Sequence, residues 1–222
     1  MKNVTSEEIY QDLCTKIEKL EYMPGDRLSE NELCGIYGVS RHIVRGALAS
    51  LKARRLVDVY PQRGTYVGLI DMDYISDILY LRTAAEQEAV YRILHMPDEE
   101  SAPVIARLKQ IVALQGNISD GPTYQDEFYE FDNMFHQTLL TAVGRPHVME
   151  LLEDPYIHIR RWRNYEIRTP ERMQEIIAEH GRIVDAIAAK DDKRAHDEMH
   201  EHLNTVARYS KPLQEQEAQY FA

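Results

Sequence analysis

Apolar residues recur at helical spacing along most of the chain, and the interruptions fall at residues that end helices. Ile9, Leu13, Ile17 and Leu20 share one face of a first helix that stops before Met23-Pro24-Gly25-Asp26. A short second helix runs from Glu30 to Tyr37 and ends at Gly38. Ser40 caps a third, in which Val44, Ala47, Leu48 and Leu51 repeat at i, i+3, i+4 and i+7, leaving Arg41, Arg45 and Lys52 opposite. Thr5 with Glu8 and Ser29 with Glu32 have capping-box spacing at two of the helix starts. Leu56 to Tyr60 and Thr65 to Val67 are β-branched and aromatic runs split by Pro61-Gln62-Arg63-Gly64, which predicts a hairpin.

From Asp71 onward the strand alternation disappears. Breaks at Met96-Pro97, Gly116-Asn117, Gly121-Pro122, Gly144-Arg145-Pro146, Thr169-Pro170 and Lys190-Asp191 leave room for six helices, roughly 72–95, 98–115, 123–143, 146–166, 170–189 and 191–212. Their lengths suit an antiparallel bundle. The expected fold is mainly α: an N-terminal winged helix-turn-helix over 1–68, a hinge at 69–72, and an all-α antiparallel helical bundle over 73–222.

Composition narrows the class. The 222 residues are 44% hydrophobic and 28% charged, enough to bury real cores. No stretch approaches 18 consecutive apolar residues and the start lacks an apolar signal region, so a cytoplasmic protein with no membrane partner is expected. Cys14 and Cys34 stand among apolar neighbours and read as small hydrophobes. The net charge of −11 is uneven, because residues 1–68 carry ten Lys/Arg against nine Asp/Glu, leaving −12 on the remainder. The asymmetry suits a nucleic-acid-facing head and an acidic body.

A short helix, a Gly-containing turn and a second helix with cations in its first turns is the geometry that enters a major groove. Arg41 and Arg45 are therefore the reading candidates. Arg63 stands at the hairpin tip beside Gly64, where glycine allows close approach to a phosphate or the minor groove. Two arginines four apart are ordinarily a solvated face. Caps, turn, basic helix and basic hairpin in this order favour double-stranded DNA.

In the bundle, polar residues fall on apolar faces. Asp132 and His136 lie four apart within the stripe of Phe128, Phe135 and Leu139. Met173, Ile176, Ile177, Val184 and Ile187 surround His180, and Ala195, Met199, Val206 and Tyr209 surround His202. One Asp and three His directed inward from three helices form the N/O donor set of a divalent transition metal. Each His alone could equally be a hydrogen-bonded core residue, and Asp132 could pair with His136. His196 and His200 make a second i, i+4 pair off the stripe, a rival chelate. Arg82 and Glu86 occupy the inner face of the first bundle helix. Arg82 could pair with Glu86 or with the carboxylate of a ligand, with Tyr156, Trp162 and Tyr165 as candidate pocket walls.

Pro24 to Leu33, Gly38-Val39-Ser40-Arg41, Val44-Arg45, Ala47-Leu48 and Arg63-Gly64-Thr65-Tyr66-Val67 together resemble the GntR family of bacterial transcription regulators. The resemblance implies that Arg41, His42, Arg45, Arg63 and Gly64 contact operator DNA. His42-Ile43 stands where the family usually has Thr-Pro, and Gly46 where it usually has Glu. Leu81-Arg82 with Glu86, Asp132 with Phe135-His136 and Leu139, Glu179-His180 with Ile183, and His202-Leu203 resemble the FCD ligand-binding domain of the branch that includes the fatty-acid regulator. That likeness implies a zinc or nickel ion on Asp132, His136, His180 and His202, with a small carboxylate beside it. Gly144-Arg145 replaces the usual Gly-Asn or Ser-Asn.

The function expected from the sequence is a homodimeric regulator that is not an enzyme. Its operator affinity would respond to a small organic acid held beside the metal, near Arg82, Glu86, Tyr156 and Tyr165. A metalloenzyme using the Asp/His set and a regulator that senses the metal itself are the alternatives.

Overall fold

The computed structural model describes residues 4–118 and 126–222, apart from the side chains of Asp126, Val206 and Ala207. The break at Gly121-Pro122, the expected helix start at 123 and the side chain of Val206 lie outside the described residues. Two compact units emerge. One combines Met1–Met72 with Asp154–Tyr165 and Pro212–Ala222, and the other combines Asp73–Glu153 with Glu166–Lys211. The expected contiguous division at 69–72 is thus redrawn, because two later segments join the head.

The first unit begins with α1 (Ser6–Glu18), β1 (Arg27–Leu28), α2 (Glu30–Tyr37), α3 (Arg41–Ala53), β2 (Val57–Tyr60) and β3 (Gly64–Val67). Thr5 caps α1 with the full reciprocal box to Glu8, and α2 ends at Gly38 in the left-handed region. Ser40 occupies the N-cap position of α3 in extended geometry, but its hydroxyl makes no capping bond, which corrects that expectation. Leu20 also departs from expectation. It lies past the end of α1 at φ 60°, off the stripe.

Ile9, Leu13, Ile17, Leu33, Val44, Ala47, Leu48 and Leu51 form one core with Leu56, Val57 and Val67. Burying each large side chain is worth about 1.5–3 kcal/mol. The hairpin belongs to a three-stranded sheet, ordered β1-β3-β2, with Arg27 opposite Tyr66 and Leu28 opposite Thr65. Two residues are too few to show a strand period, so β1 has no signature in the sequence.

The second unit contains α4 (Met72–Leu94), α5 (Asp98–Asn117), α6 (Asp126–Ala142), α7 (Val148–Leu151), α9 (Pro170–Ala188) and most of α10 (Asp192–Gln216). Ala89, Ile93, Leu108, Ile111, Phe135, Leu139, Ile183, Ile187, Met199 and Leu203 fill its core. The helix expected over 146–166 is two, α7 and α8 (Glu153–Glu166). Pro155 explains the break, since proline fits a first helical turn but not an interior.

Residues 154–165 of α8 belong to the first unit, where Ile157 enters the head core. The expected hinge is also tied there. Ile70 is 2% exposed and forms a parallel bridge with Phe221, beyond a 3-10 turn at Ala218–Tyr220. Among the described residues no helix is long and apolar enough to cross a membrane.

Candidate functional site

In the first unit α3 buries Val44, Ala47, Leu48 and Leu51 and leaves Arg41, His42 and Arg45 exposed. Arg45 Nε donates to Glu30 Oε1 at 3.1 Å while its side chain stays 71% exposed, so the pair contributes little stability and yields readily to a phosphate or a base. Arg63 is exposed at the hairpin tip, after Gln62 at φ 63°.

Gly64 has a local reason for its identity. Its φ is 116°, and a Cβ there would stand 3.3 Å from Arg27 Nε. Arg27, Asn31, Arg41 and Gly64 line one groove between the start of α2, α3 and the hairpin. Arg27 was not singled out from the sequence, because only the β1–β3 pairing carries it there.

The second unit gathers the inward polar residues. Asp132 and His136 stand on α6, His180 on α9 and His202 on α10, none more than 5% exposed. His202 Nε2 is 3.2 Å from His180 Nε2 and 3.3 Å from His136 Nε2. Asp132 Oδ1 lies 3.7 Å from His180 Nε2 and 3.9 Å from His136 Nε2. The face of Phe135 stacks on the His180 ring at 4.0 Å.

Each ring is oriented from behind. His136 Nδ1 donates to Glu86 Oε2 at 2.5 Å, His180 Nδ1 to Gln115 Oε1 at 2.9 Å and His202 Nδ1 to Glu179 Oε2 at 2.8 Å. With the proton on Nδ1, each neutral imidazole turns the lone pair of its Nε2 toward the other two. Three lone pairs facing one another at this range repel unless a cation lies among them. Ligand nitrogens on a tetrahedral ion with bonds of about 2.0–2.1 Å stand roughly 3.3 Å apart, so the donor set fits a divalent transition metal. Carboxylates and amides behind ligating histidines are the usual outer support of such a site.

Glu86 plays two parts. Its Oε1 accepts from Arg82 Nε at 2.5 Å while its Oε2 holds His136. Gln115 has no place in the sequence reading, and Glu179 stands there only as part of the FCD likeness, without its role behind His202. Gln115 had a signal, being seven residues after Leu108 on the stripe that Ile111 continues. His196 and His200 are exposed with parallel rings 6.3 Å apart and belong to no cluster of three ligating groups among the described residues.

Residues 5–67 match the family model "Bacterial regulatory proteins, gntR family", and residues 77–205 match that of the FCD domain. The chain belongs to the GntR family. It is a DNA-binding transcription regulator with a C-terminal FCD domain, and the matched models and relatives are regulators rather than enzymes.

Among its relatives is an HTH-type transcriptional regulator in an unstable DNA locus of Streptomyces ambofaciens. It is 31% identical over 199 residues, covering 90% of this chain and 82% of that one. The HTH-type transcriptional repressor RspR of Escherichia coli is 25% identical over 217 residues, covering 98% and 93%. In fold, this GntR chain resembles the crystal structure of a GntR transcriptional regulator from a Rhodococcus species. That match has a TM-score of 0.68 at 22% identity, over 92% of this chain and 96% of that one.

The four residues expected to hold an acidic effector are not assembled within either unit of this GntR protein. Arg82 and Glu86 lie in the second, Tyr156 and Tyr165 in the first. Tyr165 instead donates its hydroxyl to Glu217 and packs on Trp162, Tyr220 and Phe221. Tyr156 lies beneath the Arg160 guanidinium. The burial of Tyr165 belongs to the packing of α8 with the C-terminal segment.

Proposed function

We propose that this regulator binds operator DNA as a homodimer and that a divalent metal with a small organic acid in its FCD domain sets its operator affinity. The observation that carries the reading is the convergence of His136, His180 and His202 through Nε2, each with Nδ1 committed to an acceptor. Asp132 completes an N/O donor set suited to zinc or nickel. When bound, the ion supplies a Lewis-acidic point that attracts an anionic oxygen of the effector.

The chain's own residues do the rest. Glu86, Gln115 and Glu179 hold the ring tautomers, and Arg82 adds a buried cation beside Glu86. Thr83 Oγ1, Gln87 Nε2 and Gln115 Nε2 are buried polar atoms with no hydrogen-bond partner among the described residues. Such atoms favour a ligand that brings hydroxyl as well as carboxylate oxygens. Arg41, His42 and Arg45 enter the major groove, while Arg63 beside Gly64 follows the backbone. Two heads related by a two-fold axis would read half-sites about one helical turn apart.

A ligand moves operator affinity only through unequal binding to the DNA-competent and incompetent states, on the order of 1–3 kcal/mol. The test is a thermal-shift screen of hydroxylated organic acids on zinc-loaded and chelator-treated protein, followed by operator binding with the hit. Metal-dependent stabilisation together with a several-fold change in operator affinity is expected. Stabilisation that is identical without metal would refute the reading.

A further inference from the structure

Beyond its immediate support, the histidine cluster is joined to a longer chain of buried charges. The Glu179 carboxylate that holds His202 through Oε2 turns its other oxygen toward Arg172, with Oε1 3.7 Å from Arg172 Nη1. Arg172 Nε then donates to Glu166 Oε1 at 2.7 Å. Arg172 is 5% exposed, and its guanidinium lies 4.3 Å from the centre of the Tyr209 ring. The sequence sets this up locally. Pro170 starts α9, so Arg172 falls in its first turn, and Arg172, Glu175 and Glu179 recur at i, i+3 and i+7.

Glu166 is the last residue of α8, and residues 154–165 of that helix are built into the DNA-binding head. Three of its side chains, at i, i+3 and i+6, each cover a main-chain carbonyl at the end of a head element. His158 Nε2 donates to Arg54 O, the C-cap of α3, at 2.9 Å. Arg161 Nη2 donates to Gly68 O, just past β3, at 2.6 Å. Asn164 Nδ2 donates to Glu18 O, the last residue of α1, at 3.1 Å. Helix ends carry carbonyls with no intrahelical partner, so these bonds fix α8 to the ends of α1 and α3 as well as to the hairpin.

We infer that Arg172 and Glu166 are a positioning pair that links the imidazole of His202 to α8, so that cation occupancy at the histidine cluster is felt in the head. The inference rests on the metal reading above. When His202 settles on a cation its Nδ1 carries Glu179 with it. Arg172, walled from water, keeps its carboxylates rather than exchanging them for solvent, so the constraint passes to Glu166 and along a continuous helix. The pair adds nothing to ligation and touches neither cation nor DNA.

Trp162 makes this measurable. It is the single tryptophan of the chain, buried on α8 with ring centroids 6.2 Å from both Tyr165 and Phe221. Chelator-stripped full-length protein is titrated with Zn2+, which is redox-silent. Uptake is read by competition with a chromophoric chelator, and Trp162 emission is read in parallel. In the wild type, emission moves in step with one ion per chain.

Glu166→Gln and Arg172→Lys keep the uptake within about tenfold, standing two steps and one step beyond the support whose loss costs about 10–100-fold, and lose most of the emission change. The double variant loses no more than either single one. Should a single variant fail to fold by circular dichroism, Glu166→Met with Arg172→Met removes both charges together and is held to the same expectation. Variants with the wild-type emission change, or wild-type uptake with no emission change, overturn the inference. Absence of uptake by the wild type overturns the metal reading itself, and the chelator arm shows that separately.

Discussion

Glu86 stands directly behind His136, its Oε2 accepting the ring's Nδ1 proton at 2.5 Å while its Oε1 takes Arg82 at the same distance. One buried carboxylate thus sets the tautomer of the His136 imidazole and neutralises a buried guanidinium. Glu86→Gln keeps the shape but weakens both bonds. Zinc affinity is expected to fall by about 10–100-fold, measured by chelator competition. Unchanged affinity would remove Glu86 from the support of the site.

On the head, Arg41→Ala and Arg45→Ala each remove an exposed side chain. Circular dichroism and melting temperature should stay at wild-type values while footprinting of the operator is lost. Arg63→Ala should reduce the slope of log affinity against log salt by about 0.9, the contribution of one phosphate contact. A filter-binding series across salt concentrations checks this, and an unchanged slope would take Arg63 off the backbone.

Gly46 has a packing reason to be glycine. A Cβ at this position would lie 2.5 Å from Ser6 Oγ and 3.3 Å from Ser6 Cβ. The glutamate usual in the family at this point would press on the start of α1. Gly46→Glu should destabilise the head by about 1–3 kcal/mol, as overpacking does, and Ser6→Gly should restore part of that loss. Chemical denaturation of the single and double variants gives the answer.

Burial holds the His158 imidazole below its ordinary 6.5, and Arg161 and Arg55 push in the same direction against the opposing bond to Arg54 O. The unfolded chain therefore takes up this proton more readily than the folded one. Stability from this group is complete above pH 6.5 and is lost as the pH falls through 6.5 toward the folded value. His158→Gln, which can still donate to the carbonyl, should show a smaller drop in melting temperature between pH 7.5 and 5.5 (~ values bracketing the ordinary histidine range). An equal drop would mean that other groups carry the acid sensitivity.

Much of this molecule could be read from residue spacing. The faces of α1 and α3 and the hairpin follow from periodicity and turn residues, as does the inward aim of Asp132, His136, His180 and His202, because each is a local property of one helix. What could not be read is tertiary. β1 exists only by pairing with β3, Gln115 and Glu179 matter only because His180 and His202 arrive opposite them, and α8 joins the head through carbonyls 93 to 146 residues away in sequence. Tyr156 and Tyr165 illustrate the same limit. Their burial was legible, but not which unit would bury them.

The most direct test of the metal-dependent regulator is the zinc content of the purified protein and of two variants. One ion per chain is expected in the wild type, none in His180→Ala, and one still in the exposed pair variant His196→Ala with His200→Ala. Retention of the ion by His180→Ala with its loss from the exposed pair variant would contradict the account.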